Sequence, residues 1–224
     1  MKMHDVSLVI AGATGLVGSE VVNAALTTKN INKIFTLTRR ALALDNPKIV
    51  QCVSKDLSLS AFNKVENEVA IGVIALGTTA KKAGSKEKLR EIDVDLVVTT
   101  AKKMRTAGIT HLIVVSCLGA SPKALSHYLR CKGEMEKLIE EFGFERVTFL
   151  HPGPLAGKRS EDRPDEKLLQ SLIKFVKPLM KGSLENYIPI EASTVAKAVI
   201  QIINDESQVR IERVTTSMMN KFVS

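Results

Sequence analysis

The feature that most constrains this chain is an apolar run at residues 6–11 that passes directly into Gly12-Ala13-Thr14-Gly15-Leu16-Val17-Gly18. Glycines at such a point permit a tight turn, let a ligand's phosphates approach backbone N–H groups, and let the next helix pack closely on the strand. A strand before the loop and a helix after it are the context in which a glycine pattern carries meaning. The spacing is G-x-x-G-x-x-G, one residue away from the G-x-G-x-x-G form, and it implies a site for a dinucleotide's pyrophosphate.

The remaining pattern agrees with that start. Short β-type runs at residues 34–38, 48–53, 69–76, 111–115 and 147–150 alternate with helical patterns at 18–26, 92–107 and 128–142. In the helix at 92–107 the apolar stripe is imperfect, running through Ile92, Leu96, Thr99 and Lys103-Met104. Repeated βα units predict an α/β fold of Rossmann type, with a doubly wound, mostly parallel sheet and helices on both faces. Aromatic residues make up only 4% and Trp is absent, so the core must come from Val, Ile, Leu and Ala, as suits a sheet covered on both sides. Beyond residue 156 the pattern loosens into a polar loop at 157–166, an amphipathic helix at 168–180 interrupted at Pro178, a short strand at 188–190, a helix at 193–203 and a strand at 211–215. Residues 1–224 read as one NAD(P)-binding Rossmann-like domain with a small C-terminal elaboration, a length that suits a single core.

The formal charge of +8 raises the question of nucleic acid, but the basic pairs Arg39-Arg40, Lys81-Lys82 and Lys102-Lys103 are dispersed and lack interleaved aromatics. No nucleic-acid partner is expected on that footprint. Cys52, Cys117 and Cys131 are odd in number and show no metal-ligand spacing, so reduced thiols and no metal site are expected. The first apolar run is too short for a secretory leader, and no run approaches the roughly 18 apolar residues of a membrane span. A soluble cytoplasmic protein without a membrane partner is the expectation.

About 20 residues beyond the glycine loop, an acid at the end of the second strand would bind the ribose 2′-hydroxyl of NAD. Here that strand ends in Thr38-Arg39-Arg40. Two cations suit a 2′-phosphate, so NADP (NADPH) is the expected cofactor. The alternative, a merely solvated turn, is outweighed once the glycine loop is counted. Asp56 and Leu57 follow the third strand, where such folds contact the adenine ring, although a helix N-cap explains Asp56 equally well. Leu76, Gly77, Thr78 and Thr79 end the fourth strand at the carboxyl edge, where ligands bind in open α/β sheets.

Tyr128 and Lys132 stand four apart on a predicted helix and emerge on one face. A phenol titrates near 10, and an adjacent ammonium lowers that value by stabilising the phenolate. Ser116, at the end of the fifth strand, would reach the same place and hold a substrate carbonyl. His4, His111 and His127 read as surface residues, and Cys117 and Cys131 as small buried thiols.

These segments together resemble the short-chain dehydrogenase/reductase superfamily in its atypical branch, with closest likeness to the Tat-interacting-protein-like oxidoreductases. The resemblance is carried by G-A-T-G-L-V-G, T-R-R from Thr38, L-G-T-T from Leu76, K-K-A-G-S from Lys81, V-S-C-L-G-A-S from Val115, Y-L-R-C-K-G-E-M-E from Tyr128 and H-P-G-P-L from His151, over about the first 160 residues. It implies NADP binding, Ser116, Tyr128 and Lys132 as the reductase triad, Thr78 and Thr79 along the cofactor, and Pro152-Gly153 near the nicotinamide carboxamide. Relatives with defined sugar substrates carry a larger C-terminal region than follows residue 160 here. Two roles therefore stay open: hydride transfer with a small carbonyl or alcohol substrate, or NADP(H) sensing coupled to a regulatory protein partner. Self-association as a homodimer is open too.

Overall fold

The computed structural model describes residues 5–62, 69–156, 182–205 and 207–223. The expected loop at 157–166 and helix at 168–180 lie outside these residues. Among them, seven parallel strands form the central sheet: β1 (Val6–Ala11), β2 (Ile31–Thr38), β3 (Ile49–Val53), β4 (Val69–Ile74), β5 (His111–Val115), β6 (Arg146–His151) and β9 (Ile211–Thr215). Their order is β3-β2-β1-β4-β5-β6-β9. Two short strands, β7 (Leu155–Ala156) and β8 (Ile190–Glu191), pair in parallel beside it.

All six residues of β1 are buried, as its place in the middle of a doubly covered sheet demands. One face is covered by α1 (Leu16–Thr27) and α6 (Ala192–Ile203), which bring Val21, Val22, Ala25, Val195, Val199 and Ile202 into one apolar cluster. Each of these buried Val or Ile side chains contributes about 1.5–3 kcal/mol relative to exposure. The opposite face is covered by α5 (His127–Glu140) and a long helix that begins as α3 (Lys86–Arg90) and ends as α4 (Val97–Thr106). Short helices α2 (Ala80–Ala83) and α7 (Thr216–Lys221) lie at the carboxyl edge of the sheet, after β4 and β9.

Between α3 and α4 the backbone is π-helical over Glu91–Leu96. An extra residue in a helical turn shifts the buried face, which here comprises Leu89, Asp93, Val94, Val97, Thr100, Ala101 and Met104. The stripe expected from Ile92 and Leu96 is thus displaced: Ile92 lines a cleft, and Leu96 borders that cleft while still packing against the core. His111 departs from the surface position expected of it, since it opens β5 under Arg146 and Thr148, and burial pushes its imidazole down to about 3.

Strand order reverses direction from β1, with β2 on one side and β4 on the other. That switch point leaves a crevice above the carboxyl ends of β1 and β4, where open α/β sheets bind ligands.

Candidate active site at the carboxyl edge of the sheet

The glycine loop joins β1 to α1. Gly12 has φ +94°, a conformation that side chains resist, and a Cβ on it would stand 2.5 Å from the Ala75 carbonyl oxygen. A Cβ on Gly18 would stand 2.0 Å from the Gly12 carbonyl oxygen, so its absence lets α1 seat on the loop. Gly15 occupies the N-cap with no side-chain cap bond, and α1 has no acid in its first turn. The first N–H groups of the helix are therefore available to an anion at the positive end of its dipole. Ala13 and Val17 are buried in the core, while Thr14 is exposed and Leu16 half-buried.

A cleft of about 780 Å³ opens above this loop, lined in part by Gly12, Ala13, Thr14, Thr38, Arg39, Arg40, Leu57, Leu76 and Gly77. Arg39 and Arg40 follow the end of β2 with both side chains exposed. Thr38 carries a buried hydroxyl with no hydrogen-bond partner among the described residues. Asp56 does not join this lining. It turns outward to Lys103 at 2.8 Å, which holds its carboxyl below the usual range, while Leu57 faces the cleft with φ +54°. The threonines after β4 are engaged locally: the Thr78 N–H donates to Asp93 Oδ2 at 3.0 Å, and Thr79 Oγ1 caps α2 by accepting from the Lys82 N–H.

Beyond Gly77 the cleft gives way to the Tyr–Lys pair of α5. Lys132 is buried with its Nζ 5.9 Å from the Tyr128 ring centroid. Its charge is met by Asp93 Oδ1 at 2.7 Å, the Asp93 side chain being fully buried. A Cβ on Gly77 would come within 3.1 Å of Asp93 Oδ1 and 3.4 Å of Lys132 Nζ. Gly77 thus borders both the cleft and the ammonium.

Ser116 follows β5 but does not turn toward that pair. Its hydroxyl donates to Glu136 Oε1, a buried carboxylate that also meets His151 Nε2 at 2.8 Å and accepts from Arg213 Nε at 3.0 Å. Burial would raise the Glu136 pKa, but the His151 and Ser116 bonds and the Arg213 charge outweigh it and hold it below the usual carboxylate range. Cys117, one residue on, is half-buried instead of enclosed. Burial pushes its thiol up to about 11. Pro152 and Gly153 are held against the neighbouring loops: Pro152 O accepts from the Leu118 N–H, and the Gly153 N–H donates to Thr216 Oγ1 at 2.8 Å. They lie on the β6 side of the edge and do not line the cleft.

Asp93 and Glu136 escaped sequence reasoning. Asp93 stood in E-I-D-V-D-L as an acid between two apolar neighbours, and Glu136 lies one helical turn beyond Lys132. Both signals become legible only once a buried cation or hydroxyl needs a partner.

Residues 12–206 match the family described as NAD(P)H-binding. The chain belongs to that family. Among curated relatives, the mitochondrial protein FMP52 of Lodderomyces elongisporus is 36% identical over 206 residues, covering 87% of this chain and 85% of that protein. Its counterpart in Emericella nidulans is 34% identical over 206 residues, covering 88% and 86%. Among solved structures, MoeE5 in complex with UDP-glucose and NAD superposes with TM-score 0.66 at 16% identity over 97% of this chain and 79% of that one. The oxidoreductase ylbE from Lactococcus lactis superposes with TM-score 0.65 at 12% identity over 97% and 96%. The fold is accordingly a Rossmann-like α/β fold, shared with these solved structures. The relatives' names correct one expectation: they point to mitochondria, not to the cytoplasm. Cys52, Cys117 and Cys131 are free thiols.

Proposed function

We propose that this protein is an NADP(H)-dependent oxidoreductase that moves hydride to or from a small carbonyl or alcohol. The observation that carries the reading is continuity. One cleft runs from the glycine loop past Arg39 and Arg40 to Leu76 and Gly77, and Gly77 stands directly against the buried Lys132 beside Tyr128. The residues fit the cofactor: the cradle at Gly12 and Gly18 leaves no room for a Cβ, and the unpartnered Thr38 hydroxyl sits beside two exposed guanidiniums. The loop would hold the pyrophosphate, and Arg39 and Arg40 the 2′-phosphate. Leu57 and Ile92 would flank the adenosine, and Thr78, Thr79, Pro152 and Gly153 would border the nicotinamide end.

NADPH, when bound, supplies the hydride that a carbonyl carbon receives. Tyr128 gives its phenolic proton to the carbonyl oxygen and becomes a phenolate, which the Lys132 ammonium stabilises until solvent returns the proton. The opposite direction reverses each transfer. A panel of aldehydes and ketones with NADPH tests this, with Tyr128→Phe beside wild type. Loss of a proton donor costs about 100-fold or more in turnover; unchanged turnover in the variant would sink the mechanism.

A second reading, NADP(H) sensing with a protein partner, draws support from the Lys132–Asp93 pair. An ammonium neutralised by a buried carboxylate does less to lower a neighbouring phenol. Tight NADPH binding with no turnover across the panel is its signature.

A further inference from the structure

Lys132 stands one turn of α5 beyond Tyr128, its Nζ 5.9 Å from the Tyr128 ring centroid. An ammonium alone at that distance, at an effective dielectric of about 20, would lower a phenol by roughly two pH units. It is not alone. The π-helical turn at Glu91–Leu96 carries Asp93 inward, and Asp93 Oδ1 meets Lys132 Nζ at 2.7 Å with both side chains buried. The carboxylate is anchored, because Oδ2 accepts from the Thr78 N–H at 3.0 Å. Gly77 lies against both charges: a Cβ there would stand 3.1 Å from Asp93 Oδ1 and 3.4 Å from Lys132 Nζ. The π turn, α3 and α4 all pack against α5. Of the other charged groups on these elements, Lys88 pairs with Glu91, Arg90 with Glu134 and Lys103 with Asp56, while Asp95 is exposed. On α5 itself Glu136 is held by Ser116, His151 and Arg213. The Cys117 thiol, pushed up to about 11 by burial, is uncharged at neutral pH.

We propose that Asp93 is a positioning residue that fixes the protonation state of the site: paired with Lys132, it leaves Tyr128 a phenol through neutral and mildly alkaline pH. The protein then rests in the form that gives a proton to a carbonyl oxygen. This deepens the oxidoreductase reading and rests on it. Two opposite charges in contact act on a third group as a dipole, whose effect falls off faster with distance than that of the ammonium alone. Tyr128 therefore needs no protonation step before it acts as an acid. The phenolate left behind is weakly stabilised and recovers its proton readily from water.

The role of Asp93 has a readout that needs no substrate. The chain contains 2 tyrosines, Tyr128 and the exposed Tyr187, so Tyr187→Phe leaves tyrosinate absorbance reporting Tyr128 alone. In that protein less than half of Tyr128 is ionised at about pH 9, within one pH unit of the free phenol's midpoint; more than half ionised overturns the proposal, with no change made at Asp93. Adding Asp93→Asn keeps an acceptor for the Thr78 N–H and removes the charge, and it lowers the midpoint by about one pH unit. With NADPH and an aldehyde, the alkaline limb of turnover falls to lower pH by the same amount. A purely structural Asp93 would change the melting temperature and leave both the midpoint and the limb in place, and that result overturns the proposal. If Asp93→Asn does not fold, the Tyr187→Phe titration decides. If wild type reduces no carbonyl, the oxidoreductase reading fails, while the tyrosinate titrations still decide whether Asp93 governs Tyr128.

Discussion

Asp93 places one carboxylate oxygen 2.7 Å from the Lys132 ammonium and the other 3.0 Å from the Thr78 N–H, and the Asp93 and Lys132 side chains are both buried. Removing one member of a buried ion pair leaves the other uncompensated, at about 3–5 kcal/mol. Asp93→Ala should therefore lower the urea midpoint strongly, and a midpoint within error of wild type would remove the pair's structural importance. Gly18 is constrained differently: an added Cβ meets the Gly12 carbonyl oxygen at 2.0 Å, against 3.3 Å for one on Gly15. Gly18→Ala should cost roughly 2 kcal/mol or more in stability and Gly15→Ala less, with overpacking strain as the cause; thermal melts rank them. Glu136 adds a pH dependence. Its folded pKa is depressed, so its contribution is fully present above the unfolded carboxylate value of about 4.3 and fades as pH falls through the lower folded value. Glu136→Gln should flatten the acid limb of the stability profile.

At the scale of elements, what was legible in the sequence was what local pattern determines. The strands at 111–115 and 211–215 coincide with β5 and β9, and the continuous apolar run after residue 68 became β4. The glycine loop and the arginine pair were readable because each lies within a few residues of the strand that positions it. The helix expected at 92–107 is present, but its apolar stripe was legible only in part because the regular 3.6-residue period is broken by the π-helical turn at Glu91–Leu96. That turn directs Asp93 to Lys132 while Ile92 and Leu96 face the cleft. The partner of Ser116 was hidden as well, since Glu136 is 20 residues away and only tertiary packing joins them. Short helices such as Ala80–Ala83 and Thr216–Lys221 are too brief to show a period. Deleting the exposed Asp95 removes the extra residue, and α4 should then rotate by about 100° relative to Asp93. The expected result is lost NADPH affinity and a lower melting temperature. A variant that binds normally would show that the π turn does not position the site.

Among the described residues, the cleft lies at the switch point where β1 sends its neighbours to either side. Of the residues behind the net charge of +8, Arg39 and Arg40 line the cleft, while Lys103 and Arg146 are tied to Asp56 and Asp205. Membership in the NAD(P)H-binding family establishes the class of cofactor. Preference for the phosphorylated form is proposed from the arginine pair at the cleft. Calorimetric titration of wild type and of an Arg39→Ala/Arg40→Ala double variant with NADPH and NADH, at one ionic strength, tests it directly. Charge-assisted bonds to a 2′-phosphate predict NADPH bound about tenfold or more tighter by wild type, with the two affinities converging in the double variant. Equal wild-type affinities, or a preference that survives loss of both arginines, would contradict it.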